Sequence, residues 1–273
     1  MEVGPFVLPS ERIIDWTNAG VPGGIPYRTT VYRTLTPANS AADINAAIAA
    51  CPAGQVVYLA AGTYNLGQIT FGSKTGVTLR GAGPGRTVIN STESRAVVNT
   101  QRIFMEEDGM ALAGGYAKGS TSVTLTSAPP AAFTVGNLVQ FTQDDSPNVW
   151  GPGLGVYVRS GFPGKWGMSA TRNLRFTSRI TSVSGNTIGL ATPIPIGLSG
   201  ALNPRAYPLR NAPPTSLCGV EDLTVVGGSG TDRAVSWWGA DRCWVTRVEA
   251  ININGGHGAI YIEDGFQCEL RRC

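Results

Sequence analysis

Three hexapeptides, CGVEDL at 218–223, CWVTRV at 243–248 and CELRRC at 268–273, begin 25 residues apart each time. Each opens on cysteine and carries an apolar residue two positions on. A fixed period of this length marks stacked supersecondary units, each too thin to bury its own apolar face. At ~3.3 Å per residue, one 25-residue repeat has a contour of roughly 80 Å, room for three short strands and three turns around a thin core. Superposing the repeats puts Cys218, Cys243 and Cys268 in one column, Val220, Val245 and Leu270 in a second, and Leu223, Val248 and Cys273 in a third. A second strand keeps the interval: Ala234-Val235-Ser236-Trp237-Trp238 over Ala259-Ile260-Tyr261-Ile262-Glu263, with Val235/Ile260 and Trp237/Ile262 expected inward. Such columns need parallel, in-register stacking at ~4.8 Å per coil, which is an all-β parallel β-helix, a solenoid.

Outward from the repeat, the chain divides by texture. NSAADINAAIAAC at 39–51 predicts the one clear helix, capped by Ser40 or Asn39, with Ile44 and Ile48 on one face. Short runs follow (Val57-Tyr58-Leu59, Ile69-Thr70-Phe71, Val77-Thr78-Leu79), broken by glycine-containing turns with no crossover helix between them. GSTSVTLTS, VGNLVQFTQ and FTSRITSVSGNTIGLATPI read instead as longer antiparallel strands, with a hairpin turn at Ser184-Gly185-Asn186. The expected segments are 1–110 (N-terminal stretch, capping helix and first coils), 111–200 (an inserted small antiparallel β-domain) and 201–273 (further coils after the Pro-rich return NPRAYPLRNAPPT). The last apolar edge, CELRRC, meets no closing element, so the chain is expected to be a fragment of a longer β-helix.

Composition narrows the function classes. Hydrophobic residues make up 42%, charged residues only 14%, and there are 36 Gly and 18 Pro, a profile of short strands and turns. No apolar run reaches the ~18 residues of a membrane span, and MEVGPFVLPSERIIDW lacks the basic and apolar regions of a signal peptide. The net charge of +3 suits an acidic polymer, but no Lys/Arg cluster is dense enough for a nucleic-acid footprint.

AACPAGQVVYLAAGTYNL after the helix, GVTLRGAGPGRTVI, and the ladder from 217 to 273 resemble the right-handed parallel β-helix proteins of the pectate-lyase-like superfamily. The likeness covers roughly half the chain and implies a right-handed coil. It also implies a carbohydrate-active protein at the cell exterior or surface, whether polysaccharide lyase, glycoside hydrolase such as a polygalacturonase, phage tailspike or adhesin; fold alone does not choose among these.

His257, the single histidine, has the one side chain whose unperturbed pKa lies near neutrality. Its setting GGHGAIYI resembles one polygalacturonase motif, although the paired-aspartate and Arg-x-Lys motifs of that family are missing. The repeat aligns it with Asp232 one coil earlier, a pairing fit for acid/base work. Asp241, Glu263 and Asp264 are carboxylates expected near the same face. Outward positions on the aligned strands are Ser236 and Trp238 over Tyr261 and Glu263, with Trp244 on the neighbouring strand. Exposed aromatics beside carboxylates suit sugar rings, whose C–H faces stack while acids and bases act on their oxygens. The inserted segment adds two tryptophan-bearing loops, QDDSPNVWGPG with Trp150 and SGFPGKWGMS with Trp166. The expected catalytic set is His257, Asp232, Asp241 and Glu263; the expected substrate-binding set is Trp238, Trp244, Tyr261, Trp150 and Trp166.

The five cysteines show no zinc spacing, and three fill an inward column, where they read as small buried hydrophobes. Stacking at ~4.8 Å places their Cβ atoms slightly outside disulfide range. No cofactor is expected, with calcium at Asp144 and Asp145 the weak alternative. The partner expected is a polysaccharide substrate or glycan ligand, cleaved by lyase or hydrolase chemistry. The alternative is a non-catalytic adhesin or tailspike-like element.

Overall fold

The computed structural model describes residues 19–94, 97–100, 104–145, 172, 174–210, 213–255 and 258–273. They fall into two compact units, one built on Phe104–Pro208 and the other on Ala19–Ile103 with Leu209–Cys273.

The second unit is a parallel β-solenoid. Strand β1 (Val31–Leu35) and helix α1 (Ala41–Ala50) precede a coil of β2 (Val56–Leu59), β3 (Gly62–Leu66) and β4 (Ile69–Thr70). The next coil is β5 (Thr78–Arg80), β6 (Thr87–Ser91) and β7 (Val98–Thr100). The stretch Phe104–Pro208 that follows belongs to the first unit. The solenoid resumes with β14 (Gly219–Val226), β15 (Val235–Trp238), β16 (Trp244–Ile251), β17 (Ile260–Glu263) and β18 (Glu269–Arg271). One sheet runs β1-β2-β5-β14-β16-β18 and a second runs β17-β15-β7-β4. Strand β14 is long enough to pair with β5 by its first half and with β6 by its second, which bends the larger sheet round the core.

The columns expected from the repeat are the observed register. Val220 lies against Val245, Val245 against Leu270, and Leu223 against Val248. The first column continues across the interruption in sequence, through Leu79 to Val57. Ile69, Val98, Val235 and Ile260 make the facing column. Val57, Leu79, Val220 and Val245 are each 0% exposed, so stacking supplies the burial that no single coil could. Trp237 fills the core's width, edge-on to Phe71 at 5.2 Å between ring centroids. Helix α1 starts at a capping box in which Ser40 and Asp43 satisfy each other's backbone N–H, and it turns Ile44, Ala47 and Ile48 into the core. Asn45 ties it to the coil, donating to the Gln68 carbonyl at 3.0 Å and accepting from the Thr70 amide at 2.9 Å.

The AGTY stretch has a steric explanation. Gly62 sits at φ +140°, and a Cβ there would lie 2.5 Å from Pro37. Two residues on, the buried Tyr64 hydroxyl lies 3.0 Å from the Leu35 carbonyl and 2.9 Å from that of Ala60.

The corners of the coils explain the cysteines. Leu217, Arg242 and Gln267, one repeat apart, all take left-handed backbone near φ +50°. The residue after each is Cys218, Cys243 or Cys268. Each thiol donates weakly to two carbonyls: its own coil's, two residues back, and one of the preceding coil. For Cys243 these are Asp241 at 3.6 Å and Thr215 at 3.5 Å. A cysteine is small enough for the column and polar enough for the corner. All five cysteines are free thiols; Cys51, Cys218 and Cys243 are buried and Cys268 is partly so. Cys273, expected inside the third column, is exposed.

Residues 20–28 run over the outer face of the larger sheet. The Val21 amide donates to Glu269 on β18 at 3.3 Å. Arg28 donates to Thr78 of β5 at 3.0 Å and to the Leu217 carbonyl at 2.8 Å, and its guanidinium lies 5.0 Å from the Trp244 ring centroid. Burial pulls the Arg28 pKa below its ordinary value. Beneath it the Trp244 indole lies flat over Gly219, where a Cβ would come within 2.1 Å of the ring. Gly219→Ala is therefore expected to cost about 1–3 kcal/mol by overpacking, read as a lower urea midpoint. Adding Trp244→Leu should recover part of that loss, since the obstructing ring is gone; no recovery would refute the packing argument.

The first unit is a closed antiparallel barrel, β10-β11-β12-β9-β8-β13, from β8 (Met110–Gly114), β9 (Ser122–Leu125), β10 (Leu138–Thr142), β11 (Arg175–Ser184), β12 (Thr187–Leu190) and β13 (Arg205–Pro208). The hairpin between β11 and β12 turns at Gly185-Asn186, as the sequence indicated, with Ser184 opposite Thr187. Val123, Val139, Phe141 and Ile188 fill its interior, each 0% exposed. The Pro-rich stretch read as a return segment supplies β13. Its prolines flank RAYP, and Pro208 stands at the strand's end, where a missing N–H is tolerated.

Candidate functional site

The candidate face is the outer side of the smaller sheet. Alternation along β15 buries Val235 and Trp237 and turns Ser236 and Trp238 the other way. In register above them, Tyr261 neighbours Ser236 and Glu263 neighbours Trp238; on the other side Asn99 neighbours Ser236. Trp238, Tyr261 and Glu263 are half-buried. Ser236, expected to be an exposed outward position, is 3% exposed, and Asn99 is 5% exposed, so pointing away from the core does not here mean reaching solvent.

The turn before β15 brings in charge. The Thr231 hydroxyl donates to the Glu93 carbonyl at 2.7 Å and accepts from the Gly228 amide at 3.0 Å, and the Asp232 amide donates to the Ser94 carbonyl at 3.2 Å. From this fixed turn Arg233 reaches over the face. Its guanidinium carbon lies 4.7 Å from the Tyr261 ring centroid and 5.7 Å from that of Trp238, and it pairs with Asp232 at 2.9 Å. Arg233 Nε, Asp232 Oδ1 and Trp238 Nε1 are buried atoms with no hydrogen-bond partner among the described residues. Burial, reinforced by the hydrogen bond with Glu263, pushes the Tyr261 phenol up to about 12. Sequence reasoning missed Arg233; the signal available was its place in GTDRA, directly before a strand with outward aromatics.

Two expected site residues lie elsewhere. Trp244 does point away from the core, but it is 0% exposed beneath Arg28, and its Nε1 donates to Glu221 at 2.7 Å; it is a covered structural tryptophan rather than an open sugar platform. Asp241, expected near the same face as Glu263 and in the catalytic set, is 1% exposed at a coil corner, where it accepts from Ser216 at 3.1 Å and from Arg242 at 2.6 Å. Its backbone bridges to Ser216 and Phe266 place it in the stack of corners. A carboxylate held this way staples neighbouring coils. Asp264 follows β17 with left-handed backbone at φ 53°.

His257, and with it the pairing to Asp232, lies outside the described residues, as do Trp150 and Trp166. Asp144 is ion-paired at 2.5 Å with Arg172, whose side chain is 4% exposed. Among the described residues no group of three or more His, Cys, Asp or Glu side chains is placed to hold a metal ion. No helix among the described residues is long and apolar enough to cross a membrane.

No protein-family model matches the chain, and no curated protein matches it. Solved structures that match include the tailspike gp61 of Pseudomonas phage phi297, with a TM-score of 0.49 and 15% identity over 77% of this chain. The tailspike protein gp49 of Pseudomonas phage LKA1 gives a TM-score of 0.46 and 17% identity over 75% of this chain. The Gp54 tailspike of Acinetobacter baumannii bacteriophage AP22, solved in complex with A. baumannii capsular saccharide, gives 0.41 and 11% identity over 84% of this chain. The chain spans 31%, 31% and 43% of the length of those three proteins.

Proposed function

We propose that this chain is a carbohydrate-active β-helix of the pectate-lyase-like superfamily, working at the cell exterior or surface and binding an acidic or plant-type polysaccharide. The observation that carries the reading is the outer face of the smaller sheet, where Trp238 and Tyr261 stand beside Asp232, Arg233 and Glu263 on rigid strands. Aromatic faces suit the C–H faces of sugar rings, and charged groups beside them suit the hydroxyls. If the polymer is cleaved, Glu263 and Asp232 are the carboxylates of this face available for general acid or base work, with His257 the third candidate. The alternative, a face that binds without cleaving, draws on the engagement of Asp232, which is ion-paired with Arg233 at 2.9 Å.

The test is incubation with polygalacturonate, xylan and purified A. baumannii capsular polysaccharide. Ultraviolet absorbance of unsaturated products marks a lyase, new reducing ends without it mark a hydrolase, and retention without cleavage marks the binding-only alternative. Neither retention nor cleavage of any of the three refutes the carbohydrate reading.

A further inference from the structure

The arrangement around Arg233 goes beyond the presence of sugar-stacking aromatics. Two rings on adjacent coils, Trp238 of β15 and Tyr261 of β17, are not in register with one another: Trp238 pairs with Glu263, and Tyr261 with Ser236. Nothing in the sheet ladder itself therefore sets one ring's plane against the other. The group within cation–π distance of both is the guanidinium of Arg233, 4.7 Å from Tyr261 and 5.7 Å from Trp238. It is fixed at its own end. Asp232 holds it at 2.9 Å, the Arg233 carbonyl accepts from the Val97 amide at 3.2 Å, and the Asp232 amide is bonded to the preceding coil. The Arg233 side chain is 13% exposed, which shields it from competing water. A planar cation so anchored orders both rings before a ligand arrives, and pre-ordering lowers the entropic cost of binding.

We infer that Arg233 is a positioning residue: it sets the relative planes of Trp238 and Tyr261 and so builds the stacking platform of the proposed glycan face. The inference rests on the glycan reading for its consequence, but the ordering of the rings is a property of the free protein. Lysine at this position keeps the charge and loses the plane, while methionine keeps the stem and loses the charge.

The experiment uses the full chain labelled with 5-fluorotryptophan, with the Trp238 fluorine resonance assigned from its loss in Trp238→Phe. In Arg233→Met, that resonance is expected to shift and sharpen toward a freely rotating ring while the melting curve stays cooperative; Arg233→Lys is expected to fall between. Retardation in gels cast with polygalacturonate, xylan or A. baumannii capsular polysaccharide is expected to weaken about ten-fold in Arg233→Met, the size of effect cation–π contacts carry. An unmoved Trp238 resonance overturns the inference whatever the gels show. A shifted resonance with unchanged retardation also overturns it, because the platform would then not need ordering. If the wild-type chain is retarded by none of the polymers, the glycan reading fails, and the fluorine spectrum alone decides whether Arg233 orders the rings.

Discussion

Glu221→Ala is expected to cost about 3–5 kcal/mol, the range for removing one partner of a buried ion pair. Glu221 is 2% exposed, and both carboxylate oxygens are used: Oε1 accepts from Trp244 Nε1 at 2.7 Å and Oε2 from Arg80 Nε at 2.7 Å. Arg80 is itself 14% exposed, so alanine would take the acceptor from its Nε and from a buried indole N–H, leaving the guanidinium only the Arg28 carbonyl at 2.7 Å and Asp222 at 4.0 Å. The coupling spans coils, since Arg80 is on β5, Glu221 on β14 and Trp244 on β16. Losing it loosens the stack as well as the residue. Glu221→Gln keeps an acceptor and the shape, and should cost about 1–3 kcal/mol. The neighbouring Asp222–Arg247 pair supplies the control. It is bidentate, at 2.5 and 2.7 Å, but Arg247 is 40% exposed, so Asp222→Ala should cost no more than about 1 kcal/mol. Urea unfolding followed by tryptophan fluorescence measures all three. A Glu221→Ala loss no larger than that of Asp222→Ala would remove the buried network from the account of stability.

One thiol in five is expected to react fast with a thiol reagent in the folded protein. Cys273 is exposed, whereas Cys51, Cys218 and Cys243 are buried and Cys268 is half-covered. Reaction requires the thiolate, and burial raises the thiol pKa of Cys218 to about 11 and of Cys268 to about 12, and that of Cys243 well above its ordinary value. The consequence for stability has a definite sign. An unfolded thiol ionises near pH 9, so between there and 11–12 the folded state holds protons that the unfolded state has released. The contribution of the neutral thiols is complete below about pH 9 and is lost as pH climbs through the folded values, by up to about 3 kcal/mol for Cys218 alone. Tyr64 and Tyr261, both at about 12, add to the loss once their unfolded value near 10 is passed. Urea midpoints taken across this range should fall steadily, and a Cys218→Ala variant should flatten the slope. Rapid labelling of Cys218 or Cys243 in the native protein would show that the column faces solvent.

The same column decides a substitution that composition alone gets wrong. A serine in an apolar file should cost about 1–3 kcal/mol and valine should be tolerated better. At Cys243, however, the carbonyls of Thr215 and Asp241, which accept the Asp241 and Leu217 amides at 2.8 and 2.9 Å, also lie 3.5 and 3.6 Å from the thiol as second-bond acceptors. Cys243→Ser keeps a donor for both and is therefore expected to be the milder change, while Cys243→Val removes these second hydrogen bonds and leaves each carbonyl with its backbone amide alone. Melting temperatures of the two variants give the order directly.

The 25-residue interval determined the coil, its register and the inward columns, because parallel strands in register must repeat their apolar positions at the coil length. A helix cap at Ser40 or Asn39, of which the structure uses Ser40, and a turn within Ser184-Gly185-Asn186 were legible for a similar reason: each is settled by residues a few positions apart. Burial of outward positions was not legible. Trp244 points away from the core as its place in the repeat requires, yet it is covered by Arg28, 216 positions earlier in the chain, and no local pattern announces a segment laid across four strands. Nor does an aspartate such as Asp241 reveal in sequence that a serine from the corner one coil earlier will donate to it. Arg233 escaped notice on the same ground: its two aromatic neighbours come from different strands, and only the stacking of coils brings them within reach of one guanidinium. Periodicity along the chain determines which side chains face the core, whereas what lies over the remaining side chains is decided by contacts between distant segments, which exist only once the coils have stacked.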